Sequence, residues 1–120
     1  MSVVDIEAFN ADWLKAWSDK DTERLVSFYS EDTVYMDPQT AGGLKGRGAL
    51  RTYLQGLFGA TPEMVYVPEA VWVIEGGFCG RWICTVGPDG AGGKLRGFDL
   101  VLLKDGEITH NEVYVHQLPA

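Results

Sequence analysis

Apolar residues recur at spacings of three and four through Ile6, Phe9, Trp13, Ala16 and Trp17. That period gathers them on one face of a helix ending near Ser18. Ser2 is positioned to cap it, and Asp5 suits its first turn, where the helix dipole favours negative charge. Asp19-Lys20-Asp21 reads as a turn, and Leu25, Val26, Phe28 and Tyr29 mark a short second helix. Thr33 to Asp37 reads as a first strand, followed by a polar, glycine-rich loop from Pro38 to Gly48. Leu50, Tyr53, Leu54, Leu57 and Phe58 then return to helical spacing, with Gly59 as the stop.

Beyond this point the chain reads as strands. The runs 64–67, 70–75, 78–86, 95–104 and 107–118 are each predicted to be one. Pro68 separates the first two. Gly76-Gly77 and Asp105-Gly106 are two-residue hairpin signals, and 87–93 is a loose turn. Helices first and an antiparallel meander afterwards define an α+β class. A curved sheet wrapped around a helix leaves a cavity open at one end, which is a natural small-molecule site.

Composition narrows the choice of partner. With 120 residues, 46% of them hydrophobic, the chain reads as one domain over 1–120 with a real core. The net charge of −7 and the lack of a basic stripe argue against nucleic acid. No apolar run approaches the ~20 residues of a membrane helix, and the first residues do not resemble a signal peptide. Cys79 and Cys84 lie five apart on one predicted strand, on opposite faces and too distant to bridge. Reduced thiols fit a cytoplasmic location. There is no metal, nucleotide or flavin motif, so no cofactor is expected. His110, Glu112, Tyr114 and His116 alternate along the last strand. The two histidines stand ~20 Å apart on such a strand, too far to share a metal. That face reads instead as the outer side of the sheet and suits a homodimer contact.

Two carboxylates stand out. Asp37 closes Thr33-Val34-Tyr35-Met36-Asp37-Pro38, and Asp99 sits inside Gly97-Phe98-Asp99-Leu100-Val101-Leu102-Leu103. A buried acid costs several kcal/mol unless it is paired, hydrogen-bonded or neutralised. Two acids in different environments make a proton-transfer site. The plainer readings are a strand-end turn for Asp37 and an ion pair with Arg81 or Arg96 for Asp99. Trp13 and Trp17 read equally well as core packing, and Cys84 as an inert core thiol. If Asp99 faces the cavity, strand parity turns Leu95, Gly97 and Val101 the same way.

The stretches Trp13-Leu14-Lys15-Ala16-Trp17-Ser18-Asp19-Lys20-Asp21 and Phe28-Tyr29-Ser30-Glu31-Asp32-Thr33-Val34-Tyr35-Met36-Asp37-Pro38 resemble the NTF2-like, or SnoaL-like, superfamily of cone-shaped α+β domains. The pattern is most similar to the bacterial ketosteroid isomerases. Gly46-Arg47, Phe98-Asp99-Leu100 and the Asp105-Gly106-Glu107-Ile108 turn also match. The resemblance implies that Asp37 is a general base and that protonated Asp99 donates a hydrogen bond to a substrate oxyanion. It makes Tyr29 a supporting tyrosine. Trp13 stands where the principal oxyanion tyrosine would be, and Leu54, next to Tyr53, replaces a second supporting tyrosine. The resemblance further implies a ligand wall of Trp82, Cys84 and Val86 from the central strand, and Asn111, Val113 and Val115 from the last strand. Trp17 and Phe58 would stand at the mouth.

Two functions of different class follow. One is a cofactor-independent acid–base enzyme acting on a small hydrophobic carbonyl compound. The other is a non-catalytic module that binds a hydrophobic molecule or serves as a dimeric scaffold. Limonene-epoxide hydrolases of the same superfamily need a second carboxylate where this chain has Val113, which argues against epoxide hydrolysis. Polyketide cyclases of the SnoaL type stay open.

Overall fold

The stripe that begins at Ile6 forms helix α1 (Val3–Asp19), in a computed structural model that describes residues 3–119. The cap expected at Ser2 lies outside the described residues. Lys20, at φ 53°, turns the chain out of α1, and the Asp21 carboxylate then accepts the Arg24 N–H to cap helix α2 (Thr22–Ser27). Tyr29 is not helical as expected. The helix closes at Phe28, and Tyr29 begins strand β1 (Tyr29–Met36). Its pairing slips between Tyr29 and Val34, which breaks the alternation a strand would show in sequence.

The loop before the third helix contains a two-residue strand, β2 (Leu44–Lys45), and Gly46 leads into α3 (Arg47–Ala60). Gly59 lies within α3, which ends one residue later. The two predicted strands around Pro68 are one strand, β3 (Met64–Ile74), with a bulge between Pro68 and Ala70. Proline is tolerated there because β3 is an edge strand and a bulge needs no ladder hydrogen bond. β4 (Gly77–Val86), β5 (Lys94–Lys104) and β6 (Glu107–Gln117) complete the sheet. The first hairpin turn falls at Glu75-Gly76, one residue before the expected pair. Gly77 belongs to β4, where a Cβ would lie 1.9 Å from the Val101 carbonyl oxygen. Asp105 and Gly106 both have positive φ, as the second hairpin turn requires.

The sheet order is β2-β1-β6-β5-β4-β3. β3 to β6 form the expected antiparallel meander, but β1 joins β6 in parallel. The helices cover one face. Trp13, Leu14, Leu25, Leu50, Leu54, Tyr35, Phe78, Val101 and Ile108 are buried between helices and sheet. The opposite face exposes Val67, Trp72, Phe98 and Tyr114.

Candidate active site

Asp99 lies mid-strand on β5, between Gly80 of β4 and Val113 of β6. Strand parity turns its side chain inward, where it is 2% exposed. The Trp82 indole Nε1 donates to Asp99 Oδ2 at 3.0 Å. Oδ1 has no hydrogen-bond partner among the described residues. Burial pushes the Asp99 carboxyl up to about 7, and the Trp82 and Asn111 side chains pull it back in part. Arg81 and Arg96 do not reach it. They face the other side of the sheet, where both pair with Glu69. The ion-pair reading of Asp99 is therefore overturned by the register of β4 and β5.

Gly97 explains how Trp82 reaches Asp99. Trp82 and Gly97 are cross-strand partners, and a Cβ at Gly97 would stand 2.0 Å from the indole ring. The missing side chain lets the indole lie flat across β5.

Asp37 follows the last residue of β1. Its Oδ2 accepts the Tyr35 hydroxyl at 2.9 Å and the Tyr53 hydroxyl at 2.6 Å. Its Oδ1 accepts the Gln39 N–H at 2.9 Å and the Thr40 hydroxyl at 3.0 Å. The strand-end turn and the inward-facing carboxylate are thus one structure. A carboxylate offers about four lone-pair directions, so these donors engage it fully. Burial first, and Asp37 second, hold the Tyr53 phenol well above its ordinary range. Burial does the same for Tyr35. Both phenols are neutral donors.

The two acids open onto one cavity of about 390 Å³. Trp13, Trp17, Tyr53, Phe58, Trp82, Val113 and Val115 line it with them. Leu95, expected there from strand parity, lines it too, and the remaining residues expected at the wall stand elsewhere. Tyr29, Leu54 and Asn111 are fully buried behind it. Tyr29 accepts the Trp13 indole N–H at 3.2 Å and donates to Asn111 Oδ1 at 2.8 Å. Trp13 therefore presents its ring to the cavity and spends its N–H on Tyr29. Cys84 is buried against Tyr66, with burial pushing its thiol up to about 11, which makes it a poor nucleophile. Val86 packs on the core margin, and Gly97 underlies Trp82.

Sequence reasoning missed Tyr35, Tyr66 and Lys20, all of which line the cavity. Tyr35 was accessible from parity, since it stands two residues from Asp37 on the same strand. Tyr66 was hidden because Pro68 obscured the phase of β3. Lys20 sits in a turn, where periodicity says nothing about direction. Its Nζ donates to the Phe58 and Thr61 carbonyl oxygens and to the Thr61 hydroxyl, at 3.3, 2.6 and 3.0 Å. His116, expected on the outer face, also edges the mouth near the end of β6.

The SnoaL-like domain family matches residues 10–111. The chain belongs to the SnoaL-like domain family. No curated protein has a sequence that matches it. Its fold is similar to that of solved NTF2-like structures. A protein with a ketosteroid isomerase-like fold from Catenulispora acidiphila DSM 44928, in complex with trimethylamine, is 15% identical with a TM-score of 0.77. The match covers 92% of this chain and 85% of that one. A protein described as a candidate ketosteroid isomerase from Kribbella flavida DSM 17836 is 14% identical with a TM-score of 0.75, over 94% and 78% of the two chains. An NTF2-like protein of unknown function from Pseudomonas putida KT2440 is 23% identical with a TM-score of 0.72, over 92% and 84%. No helix among the described residues of this SnoaL-like domain is long and apolar enough to cross a membrane. No three His, Cys, Asp or Glu side chains among them converge as metal ligands.

Proposed function

We propose that this SnoaL-like domain is a cofactor-independent acid–base enzyme of the ketosteroid isomerase type, acting on a small hydrophobic carbonyl compound. Asp37 takes a proton from the carbon beside the carbonyl. Asp99, protonated, donates to the enolate oxygen, and the proton returns at another carbon. The observation that supports this reading is that a buried Asp99 and Asp37 both line one cavity. A carboxyl pushed up to about 7 keeps a substantial protonated fraction at neutral pH and donates without adding negative charge. Tyr66, whose hydroxyl rests against the Met64 sulfur at 4.0 Å, lines the same cavity.

The hydrogen bonds to Asp37 restrict the substrate. Each donor occupies a lone pair, one of which must be released before the carboxylate can take a proton. The substrate proposed for such a site carries an activated C–H, such as that between a carbonyl and a double bond. The test is ultraviolet-monitored isomerisation of a Δ5-3-ketosteroid and of a smaller β,γ-unsaturated ketone. The wild-type protein is expected to turn over at least the smaller ketone, and Asp37→Asn to lose that activity. Asp99→Asn should lose ~10²–10³ in rate, the usual effect of removing an oxyanion donor. Wild-type inactivity on both ketones, or full activity in Asp37→Asn, would sink the proposal.

A second reading, a non-catalytic binder of small hydrophobic molecules, is supported by one observation. The Trp13 N–H is turned away from the cavity, toward Tyr29. For either reading we propose a homodimer through the outer sheet face, where Trp72 and Phe98 pack 5.9 Å apart and Arg81 lies over the Trp72 ring.

A further inference from the structure

Asp37 is a carboxylate whose lone pairs are engaged, so one donor must leave before a proton can arrive. On Oδ1 the donors are the Gln39 N–H and the Thr40 hydroxyl. Both belong to the turn that Asp37 begins. The Asp37 N–H donates to the same Thr40 hydroxyl at 2.9 Å, and the Thr40 N–H donates to the Asp37 carbonyl at 3.0 Å. Removing a donor from Oδ1 would undo that turn. The exchange therefore falls on Oδ2, which two residues of the cavity wall address.

The two phenols on Oδ2 are not equivalent. Tyr35 is 2% exposed and stands on β1, paired with β2 on one side and β6 on the other. Its ring stacks on Trp17 at 6.2 Å and meets Tyr29 edge-on at 6.5 Å. A ring packed in this way does not withdraw without opening the core. Tyr53 is half-buried on α3, at the cavity wall. Its hydroxyl lies 2.6 Å from Asp37 Oδ2 and 3.3 Å from Gln39 Oε1, so a second acceptor stands within hydrogen-bond reach. Gln39 is exposed beside the same cavity, where its side chain can follow the hydroxyl outward. Burial first, and Asp37 second, keep the proton on the Tyr53 phenol throughout.

We propose that Tyr53 is a positioning residue that releases Asp37 for catalysis by moving its hydrogen bond from Asp37 Oδ2 to Gln39 Oε1. The inference rests on the reading of Asp37 as the base and adds the step that frees it. The exchange vacates one lone pair of Oδ2, while Tyr35, the Gln39 N–H and Thr40 keep the carboxylate in place. The substrate C–H bond then breaks, its electron pair passes into the enolate, and its proton forms the new O–H bond at Oδ2. Return of that proton to another carbon restores the carboxylate, and Tyr53 closes on it again.

Turnover of the smaller β,γ-unsaturated ketone gives the first test. Tyr53→Phe removes the hydroxyl that has to leave. Its kcat is expected to rise roughly three- to tenfold with KM changed less than about twofold, since a bond to a charged acceptor no longer has to be exchanged for a neutral one. Gln39→Leu removes the second acceptor. It should lower kcat roughly three- to tenfold on its own, yet by less than about twofold in the Tyr53→Phe background. A purely structural Tyr53 would give a fall in the first variant and additive effects in the pair. The second test needs no turnover. In Asp37→Asn an amide stands where the protonated carboxyl would be. Its crystal structure is expected to show the Tyr53 oxygen closing on Gln39 Oε1 from 3.3 Å to about 2.8 Å, with the Tyr35 ring in its original place. The proposal is overturned by a reduced kcat in Tyr53→Phe, or by an equal effect of Gln39→Leu in both backgrounds. It is also overturned if, in Asp37→Asn, Tyr35 moves instead or Tyr53 keeps its distance from Gln39. A wild-type protein inactive on ketones would end the enzyme reading, whereas the crystal structure would still decide the exchange, so the two fail separately.

Discussion

Asp99 makes folding itself sensitive to pH. Its carboxyl is pushed from 3.8 to about 7 by burial. Between roughly pH 4 and 7 the folded protein keeps a proton that the unfolded chain has released. Its contribution to stability is therefore full below the unfolded value and is lost as pH rises through about 7, by up to about 4 kcal/mol. Asp99→Asn removes the ionisation without changing the shape. Urea denaturation should find the variant close to wild type at pH 4 and more stable by a growing margin up to pH 8. A margin that does not change with pH would show that Asp99 ionises normally. In the sequence Asp99 was conspicuous as a charge inside an apolar run. Its partner was not, because no spacing rule connects Trp82 to a residue 17 positions away on a neighbouring strand. The bonds that Tyr35 and Tyr53 donate to Asp37 were hidden for a related reason: hydrogen-bond direction depends on rotamers, which sequence periodicity does not encode.

Among the elements, the helices were legible because each has one wet and one dry side, and the meander was legible because its strands alternate. β1 was truncated in the sequence reading because its pairing slips after Tyr29, and β3 was split because Pro68 interrupts the pattern at a bulge. The parallel β1–β6 pairing left no mark, since alternation does not reveal strand direction. Lys20 is the least visible of the structural links. From a left-handed backbone at φ 53° it reaches across to the last carbonyls of α3. A cation is favourable at that end of a helix. Lys20→Ala should cost about 1–3 kcal/mol through these lost charge-assisted bonds, and speed hydrogen exchange at Phe58–Thr61. Lys20→Gly loses the same bonds but suits the backbone, so it should be less destabilised by about 1 kcal/mol. Unchanged exchange in both variants would mean the link is dispensable.

At the scale of the molecule, the sheet has a face filled by helices and cavity and a face left open. Strand parity assigned most side chains to these faces correctly, with His116 an exception near the end of β6. Phe98 and Tyr114 are cross-strand partners on the open face, and Tyr114 is 61% exposed. Apolar and aromatic residues in such a patch mark an interaction surface. Light scattering is expected to give twice the monomer mass, and Tyr114→Glu or Phe98→Glu to halve it while leaving ligand binding intact. A wild-type protein that stays monomeric at high concentration would remove the dimer proposal.

The contact between Gly97 and Trp82 also constrains how this cavity changes in descent. Position 97 has no room for a side chain while an indole occupies the space above it. Position 82 has no comparable restriction, because a smaller residue there leaves a gap rather than a clash. The two sites are therefore ordered: a lineage that enlarges residue 97 must first shrink residue 82, and in doing so it frees the second oxygen of Asp99 before any new ligand contact exists. The same pair of substitutions taken in reverse order passes through an intermediate in which the new side chain and the indole clash.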